Sequence, residues 1–234
     1  MRCRKIRSKK HWKCKSATSR NCLFYNNATD NSGCQLIANF PIPAQYTRRH
    51  ARYTQMIGRA AMRLSGWRFA GELPDLPKFV IAIAPHTSNW DFVVGVMALW
   101  ALDIRLNFIG KHTLFRGWFG RWLRSLGGIP VNRNEPHGLV GEVVNAFNAS
   151  DQLILALAPE GTRTLDKGFK SGFLHIAAGA KVPIVLTYFD FPTRTICFGP
   201  LFTPGSDVER DMKAVLDFYR PIRGRYIKQW QQSA

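Results

Sequence analysis

From residue 79 to residue 219, short apolar runs alternate with helical patterns, and few folds accommodate such an alternation. The pattern is typical of α/β proteins, in which helices flank a central sheet. The sequence therefore predicts an α/β fold with a central mixed, largely parallel sheet. The predicted strands are 79–84, 104–109, 129–132, 152–157, 183–189 and 194–199, and the predicted helices are 89–101, 113–126, 137–149, 171–180 and 207–219.

A change of composition near residue 52 divides the chain. Residues 1–50 hold eleven of the 33 Lys and Arg but only one of the 15 acidic residues, so they carry +10 of the formal charge of +18. They show no hydrophobic periodicity, whereas the stretch RYTQMIGRAAMRLSGW from Arg52 onward has the period of an amphipathic helix. We predict that residues 1–50 are a basic, disordered N-terminal extension and that residues 51–234 form one domain.

Charge and hydropathy restrict where the protein acts. No run reaches the roughly 18 to 20 consecutive apolar residues that span a bilayer. The basic start lacks the apolar region of a secretory signal, so the sequence favours the cytoplasm. The charge outside residues 1–50 is still +8, which favours an anionic partner such as a phosphorylated substrate or an acidic membrane surface. Any membrane contact is expected to be peripheral.

The segment PHTSNWD directly follows the predicted strand 79–84. It places His86 at the end of the strand and Asp91 in the first turn of the next helix, where the carboxylate can reach back to one imidazole nitrogen. Such a carboxylate fixes the tautomer and leaves the other nitrogen to accept a proton from a hydroxyl near neutral pH. Ser88 and Asp91 also fit a helix capping box, so a purely structural role stays open.

The segment APEGTRT ends the predicted strand 152–157 in a tight, charged turn. Ligands of such sheets bind beyond the carboxyl ends of the strands, where this turn lies. Gly161 permits a positive φ or a close backbone approach, and the planar guanidinium of Arg163 suits phosphate oxygens. A solvated salt bridge between Glu160 and Arg163 is the structural alternative.

Two further cations follow predicted strands or precede helices. Arg133 ends the segment GGIPVNR, and Lys170 lies in GFKSG shortly before a helix, where the helix dipole would help it to hold an anion. Each also fits a solvated surface group. The sequence contains no serine-hydrolase elbow, no Walker motif and no dinucleotide fingerprint, which removes support for those three classes of enzyme.

Together and in this order, the segments resemble the motif blocks of the glycerolipid acyltransferase family, typified by 1-acylglycerol-3-phosphate acyltransferase. Residues 86–91 resemble its H-x-x-x-x-D block, and residues 127–133 its G-x-x-F-I-D-R block. Residues 158–163 resemble F-P-E-G-T-R, and residues 182–185 the start of V-P-I-x-P. The resemblance covers about residues 66–200, is closest to short bacterial members, and implies a fold like that of glycerol-3-phosphate acyltransferase.

The resemblance implies an O-acyltransferase of phospholipid biosynthesis. The acyl donor would be acyl-CoA or acyl carrier protein, and the acceptor a lysophospholipid of the 1-acylglycerol-3-phosphate type, with a glycolipid, an ornithine lipid or lysophospholipid remodelling as the alternative. His86 would be the general base and Asp91 would orient it. No metal or further cofactor is implied, and the location would be the cytoplasmic membrane face, in peripheral contact with anionic lipid. The implied acceptor site consists of Arg133, Glu160, Gly161, Thr162, Arg163 and Lys170.

Two other functions compete with this interpretation. A basic nucleic-acid-binding module would use the charge of +18, but more than half of that charge lies in residues 1–50 and charge alone is nonspecific, so we expect no nucleic-acid partner. A metal hydrolase would use His86, Asp91 and Glu160.

One set of aromatic residues either packs in the core or forms a surface for an acyl chain or lipid. The set consists of Trp100, Phe115, Trp118, Phe119 and Trp122.

Overall fold

The computed structural model describes residues 34–35, 40–49, 51–131, 136–161, 168–222 and 224–226, which belong to one compact unit within residues 32–234. The strands are β1 (Cys34–Gln35), β2 (Arg68–Gly71), β3 (Lys78–Ile83), β4 (Asn107–Lys111), β5 (Gly128–Val131), β6 (Leu153–Leu157), β7 (Ile184–Asp190) and β8 (Thr195–Phe202). The helices are α1 (Arg52–Ser65), α2 (Asn89–Leu102), α3 (Gly117–Ser125), α4 (Pro136–Ala149), α5 (Gly172–Ala180) and α6 (Val208–Tyr219).

The strands form one sheet in the order β1-β2-β8-β7-β3-β6-β4-β5. The pairs β1–β2 and β7–β8 are antiparallel, and the other five neighbouring pairs are parallel. The predicted α/β fold with a mixed, largely parallel sheet is therefore confirmed. The short strands β1 and β2 were not predicted, because two and four residues are too few to show a period.

Strand β3 shows why a central strand of this sheet can be predicted from the sequence. It lies between β6 and β7, and its side chains alternate between two hydrophobic cores. Phe79 and Ile81 face the core that contains residues of α1 and α2, whereas Val80 and Ala82 face the core that contains residues of α4, α5 and α6. A strand covered on both faces reads as a continuous apolar run, as FVIAI does.

Helix α1 lies against α2 at a glycine. A Cβ atom on Gly58 would lie 2.5 Å from the backbone nitrogen of Ala101 and 2.6 Å from Cβ of Trp100, so a larger residue would force the helices apart. Gly58 and Met62 form the buried face of α1.

Among the residues that the structure describes, none of the helices has both the length and the hydropathy that a membrane-spanning helix requires.

The start of the domain corrects the predicted boundary at residue 51. Phe40 and Tyr46 are buried in the same core as β3, and the Tyr46 hydroxyl donates to the carbonyl of Pro74. Residues 40–49 therefore pack with the domain, although Pro41 and Pro43 between their apolar side chains do not suit a predicted strand. Residues 1–33, 36–39 and 50 lie outside the described residues, so the disordered extension stays a prediction for them.

The predicted helix 113–126 is divided in the structure. A 3-10 helix spans His112–Phe115, Arg116 is extended, and Gly117, the first residue of α3, has a φ of +61°. The aromatic residues on the two sides of this break differ in burial. Phe115, in the 3-10 helix, is buried in the interior, whereas Trp118, in α3, is 75% exposed. Phe115 therefore packs in the core, whereas a surface for an acyl chain or lipid stays a prediction for Trp118.

Candidate active site

The segment between β3 and α2 is shaped by a helix cap. Ser88 is the N-cap residue in an extended conformation, and its Oγ accepts the backbone N–H of Trp90 at 3.2 Å. Oδ2 of Asp91 accepts the backbone N–H groups of Thr87 at 2.9 Å and Ser88 at 2.6 Å. The predicted capping box is confirmed, and it satisfies backbone donors that the first turn of a helix otherwise leaves without partners.

The same carboxylate contacts the imidazole of His86. Nδ1 of His86 lies 3.3 Å from Oδ2 of Asp91, which is buried, while the His86 side chain is 24% exposed. A carboxylate at Nδ1 favours the tautomer that carries its proton there, and Nε2 is then the nitrogen that accepts a proton. The cap and the histidine pair thus coexist in one geometry, which can perform general base chemistry on a hydroxyl.

Glu160 connects the second motif to the first. The backbone N–H of His86 donates to the Glu160 carboxylate and lies 3.2 Å from each of its oxygens. The contact forms because β3 and β6 are parallel neighbours, so the segments that follow them meet at one edge of the sheet. Glu160 has no exposed surface. Glu160 therefore supports the His86 segment from the interior, and its place in the acceptor site stays a prediction.

Gly161 and Lys170 lie together beside this turn. Gly161 has a φ of +62°, and a Cβ atom on it would lie 3.5 Å from Cε of Lys170. The backbone N–H of Lys170 donates to the carbonyl of Pro159 at 2.9 Å, which holds the two segments together. The Lys170 side chain is exposed and is therefore accessible to an anion.

The structure therefore brings together five of the eight residues that the sequence singled out: His86, Asp91, Glu160, Gly161 and Lys170. The other three, Arg133, Thr162 and Arg163, lie outside the described residues. Their place in an acceptor site stays a prediction.

Tyr219 supports the end of β3, the strand that leads to His86, and sequence reasoning missed it. Its hydroxyl donates to the Ala82 carbonyl at 2.6 Å, with the Thr187 carbonyl 3.3 Å away. Burial raises the pKa of the Tyr219 phenol well above its ordinary value, and the charge of Glu160 raises it further. The phenol therefore stays a hydrogen-bond donor. In the sequence, Tyr219 is only one more apolar position at the end of a helix.

A second contribution that sequence reasoning missed comes from residues 224–226. Oγ1 of Thr87 accepts the backbone N–H groups of Arg225 at 3.1 Å and Tyr226 at 3.4 Å. The Arg225 guanidinium lies 5.4 Å from the centre of the Trp90 ring. The only signal in the sequence is the basic composition of RPIRGRY, which does not say where the segment docks.

No group of three or more His, Cys, Asp or Glu within the described ranges could hold a metal ion. His86, Asp91 and Glu160 are all described, so they do not form such a group. Instead, the Glu160 carboxylate accepts a backbone N–H of the His86 segment.

Comparisons with known proteins place His86, Asp91, Glu160, Gly161 and Lys170 within one family match. The family model described as Acyltransferase matches residues 72–189. The 1-acyl-sn-glycerol-3-phosphate acyltransferase of Escherichia coli (strain K12) is 32% identical over 111 residues, which are 45% of this chain and 44% of that protein. The enzyme of the same name from Streptococcus pneumoniae is 32% identical over 120 residues, or 50% of this chain and 44% of that protein.

The aligned part thus spans less than half the length of these relatives. Among solved structures, the 1-acyl-sn-glycerophosphate (LPA) acyltransferase of Thermotoga maritima superposes with a TM-score of 0.49 at 20% identity. The superposition covers 71% of this chain and 75% of that chain.

Proposed function

Since this chain belongs to the acyltransferase family, as the match over residues 72–189 shows, we propose that it is an O-acyltransferase of phospholipid biosynthesis. The family match confirms the resemblance drawn from the motifs. The proposed reaction moves a fatty acyl group from acyl-CoA or acyl carrier protein to a lysophospholipid of the 1-acylglycerol-3-phosphate type. The observation that carries the proposal is the 3.3 Å contact between His86 and Asp91 inside the matched region.

In the proposed mechanism, Nε2 of His86 takes the proton of the acceptor hydroxyl while the hydroxyl oxygen attacks the thioester carbonyl. The carbon–sulfur bond then breaks, and the thiolate leaves with the proton that the imidazolium returns. Asp91 orients the imidazole and stabilises its charged form. The acyl group passes directly to the acceptor, so the mechanism requires no acyl-enzyme.

The acceptor phosphate is proposed to bind at the turn after β6. Lys170 offers an exposed cation beside Gly161. The resemblance adds Arg133, Thr162 and Arg163 to this site, and a guanidinium there would bind phosphate oxygens in pairs. The Glu160 carboxylate is proposed to position the His86 backbone rather than to touch the substrate.

A substrate panel tests the proposed function. The purified protein is incubated with acyl-CoA or with acyl carrier protein, and with 1-acylglycerol-3-phosphate, neutral lysophospholipids or a glycolipid, while release of the free thiol is followed. We expect release to require an acceptor and to be fastest with 1-acylglycerol-3-phosphate. A faster rate with a glycolipid or a neutral lysophospholipid would instead support the alternative acceptor. Release that never depends on an acceptor would contradict the proposed function.

The exposed face of α1 supports a peripheral contact with the cytoplasmic membrane face, which we include in the proposal. Four large apolar side chains lie along one side of the helix, opposite Gly58 and Met62, and are between 56% and 88% exposed. Arginine side chains line the edge of this stripe. An apolar stripe beside cations suits the interface of an anionic bilayer. The stripe consists of Tyr53, Met56, Ile57 and Leu64, and the arginines are Arg52, Arg59 and Arg63.

Vesicle binding tests this surface. Replacing Ile57 and Leu64 together with serine is expected to weaken binding to phosphatidylglycerol-containing vesicles about tenfold or more, because two large apolar side chains no longer enter the interface. Leu201→Ser, at an exposed leucine of β8, is the matched control and should bind as the unchanged protein does. Vesicle flotation at low and high salt measures both effects. Equal binding by the double variant and the control would rule out α1 as the docking surface.

A further inference from the structure

Residues 224–226 contact the loop that carries His86. Thr87, the next residue along that loop, accepts two backbone N–H groups from the segment. Gly224 is buried against the same loop: a Cβ atom on it would lie 2.8 Å from Cγ2 of Thr87 and 3.1 Å from Cγ of Pro85. The close contact and the hydrogen bonds fix the backbone of Arg225 beside the proposed general base.

The side chain of Arg225 is held by aromatic rings. Its guanidinium lies 5.4 Å from the centre of the Trp90 ring and 5.9 Å from that of Tyr226, within the range of cation–π attraction. Trp90 precedes Asp91 in the first turn of α2 and is 54% exposed. No carboxylate among the residues that the structure describes lies within ion-pair distance of Arg225. The result is an oriented, exposed cation whose charge no described carboxylate neutralises.

An oriented guanidinium suits a phosphate group. Its planar set of N–H donors matches pairs of phosphate oxygens, and a ring that already holds it reduces the rotamer entropy lost on binding. Both proposed substrates carry this group: the acceptor has a phosphate monoester, and the donor has the phosphate of its pantetheine arm. Arg225 lies outside residues 72–189, so the family match does not assign it.

We propose that Arg225 binds a phosphate group of the acyl-transfer substrates next to His86, and that Thr87 is the positioning residue that holds it there. The identity of the ligand rests on the proposed function. The site itself rests on the contacts of Thr87, Trp90 and Gly224.

Arg225→Gln tests the site kinetically. We expect the KM of one phosphate-bearing substrate to rise about tenfold or more, since a charge-assisted hydrogen bond is lost, while kcat changes less than about twofold, as expected when uniform binding is removed. Arg225→Lys should recover only part of the affinity, because a point charge lacks the planar fork. Arg210→Gln, at an exposed arginine of α6, removes the same charge elsewhere and should leave every KM unchanged.

The substrate whose KM rises identifies the phosphate. A rise for 1-acylglycerol-3-phosphate alone assigns Arg225 to the acceptor. A rise for acyl-CoA and for acyl carrier protein assigns it to the pantetheine phosphate that they share, and a rise for acyl-CoA alone to the nucleotide phosphates of CoA. An unchanged KM for all three would overturn the proposal.

The role of Thr87 has its own readout. Thr87→Val removes the acceptor of two backbone N–H groups and should raise the same KM that Arg225→Gln raises. Thr87→Ser keeps the hydroxyl, so its KM should equal that of the unchanged protein. Adding Thr87→Val to Arg225→Gln should produce no further rise, because both changes act on one interaction. Independent, additive effects would show that Thr87 does not act through Arg225.

Equilibrium binding separates this inference from the proposed function. Calorimetric titration with CoA and with glycerol 3-phosphate requires no turnover. If the protein transfers no acyl group but Arg225→Gln still weakens binding of either probe about tenfold, the phosphate site stands and the proposed function fails. If acyl transfer is observed while Arg225→Gln leaves both binding and KM unchanged, the proposed function stands and the phosphate site fails.

Discussion

The His86→Ala variant is expected to lose about a thousandfold in kcat/KM for acyl transfer while the protein stays folded. The expected loss is large because the proposed mechanism has one proton acceptor for the attacking hydroxyl, and alanine removes it. The fold should persist because the imidazole is partly exposed and lies outside both hydrophobic cores. Thiol release measures the rate, and circular dichroism with thermal unfolding measures the fold.

A matched histidine makes the result specific. His175 lies exposed on α5, and His175→Ala should retain the activity of the unchanged protein. If His86→Ala keeps more than about a tenth of that activity, general base catalysis by His86 is excluded, since a positioned base contributes at least about a hundredfold.

The Glu160→Ala variant is expected to lower both stability and activity. It leaves the backbone N–H of His86 without the carboxylate that accepts it and opens a cavity, which together should lower the free energy of unfolding by about 2–4 kcal/mol. Displacement of the His86 backbone should lower kcat/KM about a hundredfold. Denaturant unfolding and thiol release measure the two effects.

Two comparisons sharpen the Glu160 experiment. Glu142→Ala, at an exposed glutamate of α4, should change neither quantity. Glu160→Gln keeps one acceptor oxygen and should fall between the alanine variant and the unchanged protein. Loss of activity in Glu160→Ala with full stability would instead support the role that the resemblance implied, a direct contact with the acceptor.

The parts of the fold that the sequence predicted are those whose signal is local. Strand β3 is readable because burial on both faces requires a continuous apolar run, and α2 because Ser88 and Asp91 mark its start. Residues 40–49 were assigned to the extension because Pro41 and Pro43 interrupt their apolar side chains, which is not typical of a strand or a helix. Their burial depends on a core that is built from distant parts of the chain.

The same distinction applies to the site. His86 and Asp91 belong to one short segment, so their contact follows from the geometry of a strand end and a helix cap. The bond from the His86 backbone to Glu160 joins residues that are 74 positions apart, and the bond from Arg225 to Thr87 joins residues that are 138 positions apart. A contact between a side chain and a backbone group far away in the sequence produces no recognisable motif, so only the folded structure reveals it.

The single oxygen Oδ2 of Asp91 accepts the Thr87 and Ser88 backbone N–H groups and lies within reach of Nδ1 of His86. The first turn of α2 therefore has to be wound for the imidazole to be oriented. If that turn frays, as helix ends do on short timescales, the carboxylate swings away and the histidine loses its preferred tautomer. The rate of the proposed reaction thus depends on the fraction of molecules in which this one helical turn is closed.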